Sequence, residues 1–488
     1  MRALVDRPAL GAAVVVLLAL AHAGAQALVR PLYQVSDEIV YMSTVQATAW
    51  ETAPPTLRSC IAPPDARFPF IPVTTKPGFR RATAWQLSTY CSATAGRASQ
   101  LALRLLQAGS LAVVAACAWV MGHALTGRHT DALLAGLLVA AHPVAAAHAG
   151  GVTPDAWANA WSALAFTAGS RMLLQQWRWW DPPLLLLFVV LALAWKDTAT
   201  FLVVLPVLAV LVPLVSSARG RSALGYVAFL VASVVATASA ALLWFRTPYV
   251  GGEGRAPLEA PAWLQVVAVG RDALGQVGTL VTSSWVGLGN FGASTLVAPP
   301  AAEVIGVALL AAGLAGAVRR LAHDSPLPHA AVVGTWAACA VLCLVQPSVR
   351  QVLLGTQDIH QGRWLFPLLA PAAVVLACGI NRVRARAALL PLAALASVTA
   401  AGLGLLETIR YYWTSYPTRL DPSALYLRGT GGDVIDDRLV LGLVRHAAAD
   451  VPASFVFIVP LLLGLAAAAS LALAFATVDH HDRHTDHC

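Results

Sequence analysis

The sequence predicts an all-α protein that crosses a membrane about twelve times. Of its 488 residues, 58% are hydrophobic and 11% are charged, and the mean hydropathy is +0.69. Apolar runs recur from one end to the other, and a membrane-spanning helix needs about 20 such residues. A soluble domain of this size could not bury that much apolar surface. The predicted spans lie near 8–29, 99–124, 131–149, 155–174, 183–195, 198–215, 222–245, 299–317, 328–346, 363–380, 387–406 and 453–477.

The first apolar run has a second interpretation. It follows a basic start and ends in small residues, a pattern that is also typical of a cleaved signal peptide. We expect a retained first span, because the run is long enough to cross and the next segment has the character of a first outside loop.

The arginines predict the orientation of the chain. The formal net charge is +8, and Lys76 and Lys196 are the two lysines among 32 Lys and Arg residues. With the N-terminus in the cytoplasm, every short inner connection carries an Arg, as the positive-inside rule requires. We therefore expect one transmembrane domain over 1–488 in the inner or plasma membrane, with both termini cytoplasmic. The predicted extracytoplasmic loops are 31–98, 246–298, 347–362 and 407–452, and 478–488 forms a cytoplasmic His-rich tail.

The first outside loop carries an acidic pair, Asp37 and Glu38, directly after the first span. The residues that follow have helical spacing and predict an amphipathic helix with Ser36 as N-cap. The pair is either a solvated helix start favoured by the helix dipole or a general base at the membrane surface. In the same loop, Cys60 and Cys91 are candidates for a disulfide.

A second acidic residue, Asp155, follows a Gly-Gly turn and opens the fourth span. It either caps that helix or adds a carboxylate to the face that carries Asp37. His142 and His148, in the preceding span, fit hydrogen-bonded interior histidines better than metal ligands.

Two further segments contribute basic residues to the candidate site. Lys196 and Asp197 interrupt about 30 apolar residues, and ionisable groups in such a run favour a functional role. The alternatives are mutual neutralisation or a lysine that snorkels to the surface; a functional Lys196 would hold a phosphate as a point charge. Gln361 and Arg363 precede a later span, where Arg363 is either an interfacial anchor or a bidentate phosphate ligand.

Other ligand classes have weak support in the sequence. There is no Walker loop and no convincing dinucleotide fingerprint, so a sugar donor would be presented by a lipid. No basic block interleaved with aromatics indicates nucleic-acid binding. The tail 478–488 gathers histidines, but their spacing matches no defined metal site. We expect no cofactor. The sequence contains no ligand set for a divalent metal, and it does not decide whether the protein depends on one.

Four motifs together resemble the C-type glycosyltransferase superfamily, the polytopic enzymes that use polyprenyl-phosphate-linked sugars. They include the protein mannosyltransferases and the lipid A aminoarabinose transferases. The motifs are "SDE", "GGVTPDAWANAW", "LAWKDTATFLVVLP" and "QGRWLFPLLAP". They cover about the first 215 residues and one late segment.

The resemblance implies a set of roles. Asp37 would activate an acceptor hydroxyl, Glu38 would support it, and Asp155 would orient the acceptor or the base. Arg363, with Gln361 and less directly Lys196, would contact the lipid phosphate. Trp364 stands where tyrosine is common in the family.

The reaction so implied is an inverting transfer of sugar from a polyprenyl-phosphate donor to a hydroxyl. The acceptor is a lipid, a glycan or a protein. Two alternatives stay open: a glycolipid transporter or flippase that uses Lys196 and Asp197 for coupling, and a lipid-linked polysaccharide ligase or non-catalytic scaffold.

Overall fold

The computed structural model describes residues 8–29, 38–61, 76–94, 99–216, 259–281, 290–291, 294–295, 311, 313, 315–316, 327–354, 362–380, 386–409 and 464. This part is helical apart from a short antiparallel pairing of Asn290–Phe291 with Ser294–Thr295. The helices are α1 Pro8–Val29, α2 Glu38–Thr52, α3 Arg58–Ile61, α4 Pro77–Thr94, α5 Ser99–Thr126, α6 His129–Ala140, α7 Pro143–Ala149, α8 Pro154–Leu173, α9 Asp181–Trp195, α10 Val204–Ser216, α11 Ala262–Val281, α12 Leu327–Leu354, α13 Leu369–Ile380 and α14 Arg386–Ile409. 3₁₀ turns cover Pro55–Leu57, Asp197–Val203 and Gly362–Leu368.

Three of the described helices are long and apolar enough to cross a membrane, within α1, α5 and α12. A fourth crossing results if α6 and α7 form one bent span. The chain is thus a helical membrane protein. The predicted span 222–245, and all but single residues of 299–317 and 453–477, lie outside the described residues.

The span predicted at 131–149 is a bent pair. Helices α6 and α7 meet at 60°, and His142 between them is extended while its Nδ1 accepts a hydrogen bond from the Ala145 N–H at 3.2 Å. Pro143 occupies the first turn of α7, where its missing N–H is not needed. The bend is therefore the capped start of a new helix.

The core of the membrane part forms where α1, α5, α6 and α8 pack together, with α13 against α5 and α6. Small residues allow close approach, as is usual between membrane helices. A Cβ at Gly136 would lie 2.7 Å from the Val15 side chain, and one at Gly150 would lie 2.8 Å from the Ala27 nitrogen.

The described part of the first outside loop is a small helical layer with its own core. Met42, Ile61, Phe79 and Leu87 are buried between α2, α3 and α4. A disulfide joins Cys60 and Cys91 across this layer, with Cα atoms 5.8 Å apart. Helix α4 also packs against α5 and α9, so the layer is attached to the bundle.

Helix α11 lies in the region 246–298 that the sequence predicted as a loop. Arg271 and Asp272 interrupt its apolar residues at the centre, which hides it from a search for apolar runs. It packs against α12 and against the turn Gly362–Leu368.

Candidate functional site

Glu38 opens helix α2 and is 1% exposed. Its Oε1 accepts hydrogen bonds from Arg104 Nε at 2.8 Å and from the Val152 N–H at 3.0 Å, and its Oε2 accepts one from the second guanidinium branch. Arg104 also donates to the Ala27 carbonyl at 3.0 Å. Glu38 is therefore not a solvated helix start. It is one half of a buried ion pair that joins α2 to the end of α1, to α5 and to the turn before α8.

Asp155 and Lys196 form a second pair. The ammonium lies 2.6 Å from each carboxylate oxygen, and the side chains are 3% and 15% exposed. Asp155 lies in the first turn of α8, and Lys196 follows the last residue of the neighbouring α9 in an extended conformation. Lys196 binds Asp155, whereas Asp197, the first residue of the 3₁₀ turn that follows, binds a different cation. Mutual neutralisation of Lys196 and Asp197 is therefore not what the structure shows.

Asp197 pairs with Lys76 of the first outside loop, at 2.6 Å. Its backbone carbonyl accepts hydrogen bonds from Gln346 Nε2 at 2.9 Å and from the Thr200 hydroxyl at 2.6 Å. The Asp197 position thus connects the start of α4 with α12.

These contacts place Glu38, Asp155 and Lys196 at the same end of the helical bundle. Val152, which donates to Glu38, lies three residues before Asp155. Three carboxylates (Glu38, Asp155, Asp197) meet three cations (Arg104, Lys196, Lys76). Among the described residues, these six side chains form three ion pairs, each of one carboxylate and one cation.

The late segment reaches the same region. The turn Gly362–Leu368 packs against α8 and against the turn Asp197–Val203. The Phe366 ring packs in T-shaped arrangements with the rings of His142 and His148, with centroids 5.6 and 5.8 Å apart. Asp37, Gln361 and the side chain of Arg363 lie outside the described residues. Their predicted roles stay predictions.

Sequence reasoning missed several participants. Arg104 pairs with Glu38, and Lys76 and Gln346 both bind Asp197. Arg350, 6% exposed, lies one helical turn beyond Gln346 on the same face of α12. The signal for Arg104 was available, since a charged residue in an apolar run favours a functional role. Its partner could not be read from the sequence, because 66 residues separate Arg104 from Glu38.

Within the described part of the chain, no three His, Cys, Asp or Glu side chains come together as a metal site. His142 accepts a hydrogen bond as the N-cap of α7, in agreement with the interior hydrogen-bonding role predicted for it. The His-rich tail 478–488 is not among the described residues.

No protein-family model and no curated protein matches the sequence. Solved structures with a similar fold include the oligosaccharyltransferase AglB from Archaeoglobus fulgidus, in complex with an inhibitory peptide and a dolichol-phosphate. It is 16% identical, with a TM-score of 0.46 over 82% of this chain and 56% of that one. ArnT from Cupriavidus metallidurans bound to undecaprenyl phosphate is 14% identical, with a TM-score of 0.43 over 95% of this chain and 74% of that one.

These neighbours belong to the group of polytopic glycosyltransferases that the four sequence motifs resemble. The chain spans about 55% of the length of the archaeal oligosaccharyltransferase. At these identities and TM-scores the likeness concerns the course of the helices, and it assigns no residue or reaction to this chain.

Proposed function

We propose that this protein is a membrane glycosyltransferase that moves a sugar from a polyprenyl-phosphate donor to a hydroxyl acceptor. The observation that carries the proposal is the convergence of Glu38, Asp155 and Lys196 at one end of the bundle, beside the segment that contains Arg363. Transfer from a lipid phosphate needs both a proton acceptor and cations for the leaving group. This cluster holds the Lys196 ammonium in place, and Glu38 in it directly follows Asp37 in the chain.

The proton acceptor in this proposal is Asp37. Both oxygens of Glu38 already accept hydrogen bonds, from Arg104 and from Val152, so Glu38 suits a structural role. Asp37 precedes it directly in the chain. The acceptor oxygen attacks the anomeric carbon as its proton passes to the Asp37 carboxylate. The bond from that carbon to the phosphate oxygen breaks, and polyprenyl phosphate leaves with the electron pair. Single displacement inverts the anomeric configuration.

The leaving phosphate is the proposed ligand of Lys196, together with Arg363 and Gln361. The ammonium of Lys196 is held at 2.6 Å by Asp155, which fixes the position of the charge before the reaction begins. A pre-positioned cation stabilises charge that develops in the transition state. The role of Asp155 in this scheme is to position Lys196.

The proposed topology is the twelve-span arrangement with both termini cytoplasmic. It forms one domain over 1–488, and the site faces outward in a loop layer over 31–98. The attachment of α4 to the bundle through Lys76 and Asp197 supports a site between this layer and the span ends. Lipid, glycan and protein acceptors all remain consistent with it.

Substitution of Asp37 by Asn tests the base. We expect transfer of labelled sugar from the polyprenyl donor to fall by about 10²–10⁴-fold, the usual contribution of a general base, while the amount of folded protein stays the same. The matched control is Glu51→Gln, at an exposed site on α2, which should keep normal transfer. Near-normal transfer in Asp37→Asn would refute the assignment.

A glycolipid transporter is the second candidate. Discontinuous helices in both halves of the chain would favour it, and the described residues contain one bent pair, α6 and α7. Vesicles that contain the purified protein separate the two functions. A transferase consumes the lipid-linked sugar when an acceptor is present on the same side. A transporter moves the intact glycolipid between leaflets with no acceptor present.

A further inference from the structure

Helix α11 carries an exposed apolar stripe. Val267, Trp263, Val266 and Leu274 are 58%, 66%, 70% and 78% exposed. At the spacing of an α-helix these positions share one face. Val269, by contrast, is buried, so the helix has a packed side and the exposed stripe points away from the rest of the described protein.

The neighbouring helix α12 indicates whether the stripe is surrounded by water or by lipid. Helix α12 contains the candidate span Pro328–Val352, and its Val341 and Leu342 are 57% and 40% exposed. On a membrane span, exposed apolar side chains of this kind meet lipid. Because α11 packs against α12, the bilayer is the nearest apolar surroundings for the stripe.

The charges of α11 argue against a crossing. Arg271 is exposed and lies at the centre of Ala262–Val281, beside Asp272. A spanning α11 would hold this exposed guanidinium at the middle of the bilayer, where a charge is least favourable. A helix parallel to the membrane surface lets Arg271 reach the head groups, and an aromatic residue such as Trp263 suits that depth.

We propose that α11 is an interfacial helix. Its stripe of Trp263, Val266, Val267 and Leu274 inserts among the acyl chains of bilayer lipids, and Arg271 lies at the head-group level. The partner of this surface is the lipid bilayer. The inference does not depend on the proposed transferase activity.

Spin labels on single cysteines test the depth of each face in the full chain. The parent variant is Cys488→Ser, in which Cys60 and Cys91 are disulfide-bonded and Cys117, Cys339, Cys343 and Cys378 are buried; it should take up no label. Val266→Cys and Leu274→Cys then report on the stripe, and Arg271→Cys is the matched control on the same helix. Labelled protein is placed in vesicles of phosphatidylethanolamine and phosphatidylglycerol and exposed to oxygen or to a water-soluble nickel chelate.

The expected result is a collision ratio of oxygen to nickel chelate above one at positions 266 and 274 and below one at position 271. Three results would overturn the proposal. A ratio below one at 266 and 274 means that the stripe faces water. Exclusion of both reagents there means that protein, such as a second copy of the chain, covers it. A ratio that is highest at 271 means that α11 crosses the bilayer.

Discussion

At the scale of single residues, the pair of Glu38 and Arg104 decides how the first outside loop attaches to the bundle. Both side chains are almost fully buried, and burying two charges requires good geometry to offset their lost hydration. The geometry here supplies it, since the Val152 N–H and the Ala27 carbonyl take part as well. The pair therefore defines one arrangement of four chain segments.

Removing one partner of this pair should be strongly destabilising. Glu38→Gln or Arg104→Met leaves a buried charge without its counterion, and such changes cost about 3–5 kcal/mol. We expect a clear drop in the thermal unfolding temperature in detergent. The double variant Glu38→Met/Arg104→Met should be more stable than the Arg104→Met variant, because no charge is left unpaired.

The more exposed pair of Arg171 and Asp181 provides the matched comparison. The Arg171 side chain is 30% exposed, and the buried Asp181 carboxylate keeps a hydrogen bond from the Arg178 N–H at 2.6 Å, so Arg171→Met should have a smaller effect than Arg104→Met. Equal unfolding temperatures for the two single variants would contradict the structural role given to Arg104.

At the scale of elements, the short helix α7 brings the turn before α8 against α1. Gly150 directly follows α7 and lies against the backbone of α1, where a Cβ would come 2.8 Å from the Ala27 nitrogen and 2.9 Å from the Ala23 carbonyl oxygen. The Ala27 carbonyl accepts from Arg104. A shift of α1 at this point would therefore move the Ala27 carbonyl and disturb the buried pair of Glu38 and Arg104.

Gly150→Ala tests that connection. The added methyl has no space, and overpacking of this kind costs about 1–3 kcal/mol, so we expect a lower unfolding temperature together with reduced sugar transfer. Gly109→Ala is the control, because Gly109 lies inside α5 with nothing within 4 Å of the added Cβ. There the alanine should be neutral or slightly stabilising. A Gly150→Ala protein as stable and active as the parent would show that α1 adjusts without consequence.

At the scale of the whole molecule, several contacts attach the first outside loop to one end of the bundle. Glu38 binds Arg104, Lys76 binds Asp197, and Gly78 lies against the Ala194 carbonyl, where a Cβ would be 2.6 Å away. The proposed orientation puts this whole layer outside the cell membrane.

Tag accessibility in intact cells checks the orientation. An epitope inserted within 62–75 should bind antibody without permeabilisation of the inner membrane. One inserted at the Gly127–Arg128 turn, which is exposed and carries a predicted inner Arg, should bind only after permeabilisation. The reverse pattern would place the acidic cluster on the cytoplasmic face and exclude the proposed topology.

The sequence by itself determined the class of the protein and the positions of many elements. Apolar runs and their charged boundaries are local features, and they predicted a helical membrane protein and the helix that begins beside Asp37. The same local patterns led us to place Glu38, Asp155 and Lys196 in one predicted site. It overlooked α11, because Arg271 and Asp272 break the apolar pattern at the centre of that helix.

Only the tertiary structure determined which charged side chains form ion pairs with each other. Neutralisation of Lys196 by the adjacent Asp197 was one alternative that the sequence left open, whereas in the structure Lys196 binds Asp155 and Asp197 binds Lys76. The partners are 41 and 121 residues apart along the chain (197 − 76 = 121). Such pairings depend on which helices become neighbours and on the direction of each side chain from its backbone. Both follow from the packing of the whole bundle, which no local pattern in the sequence contains.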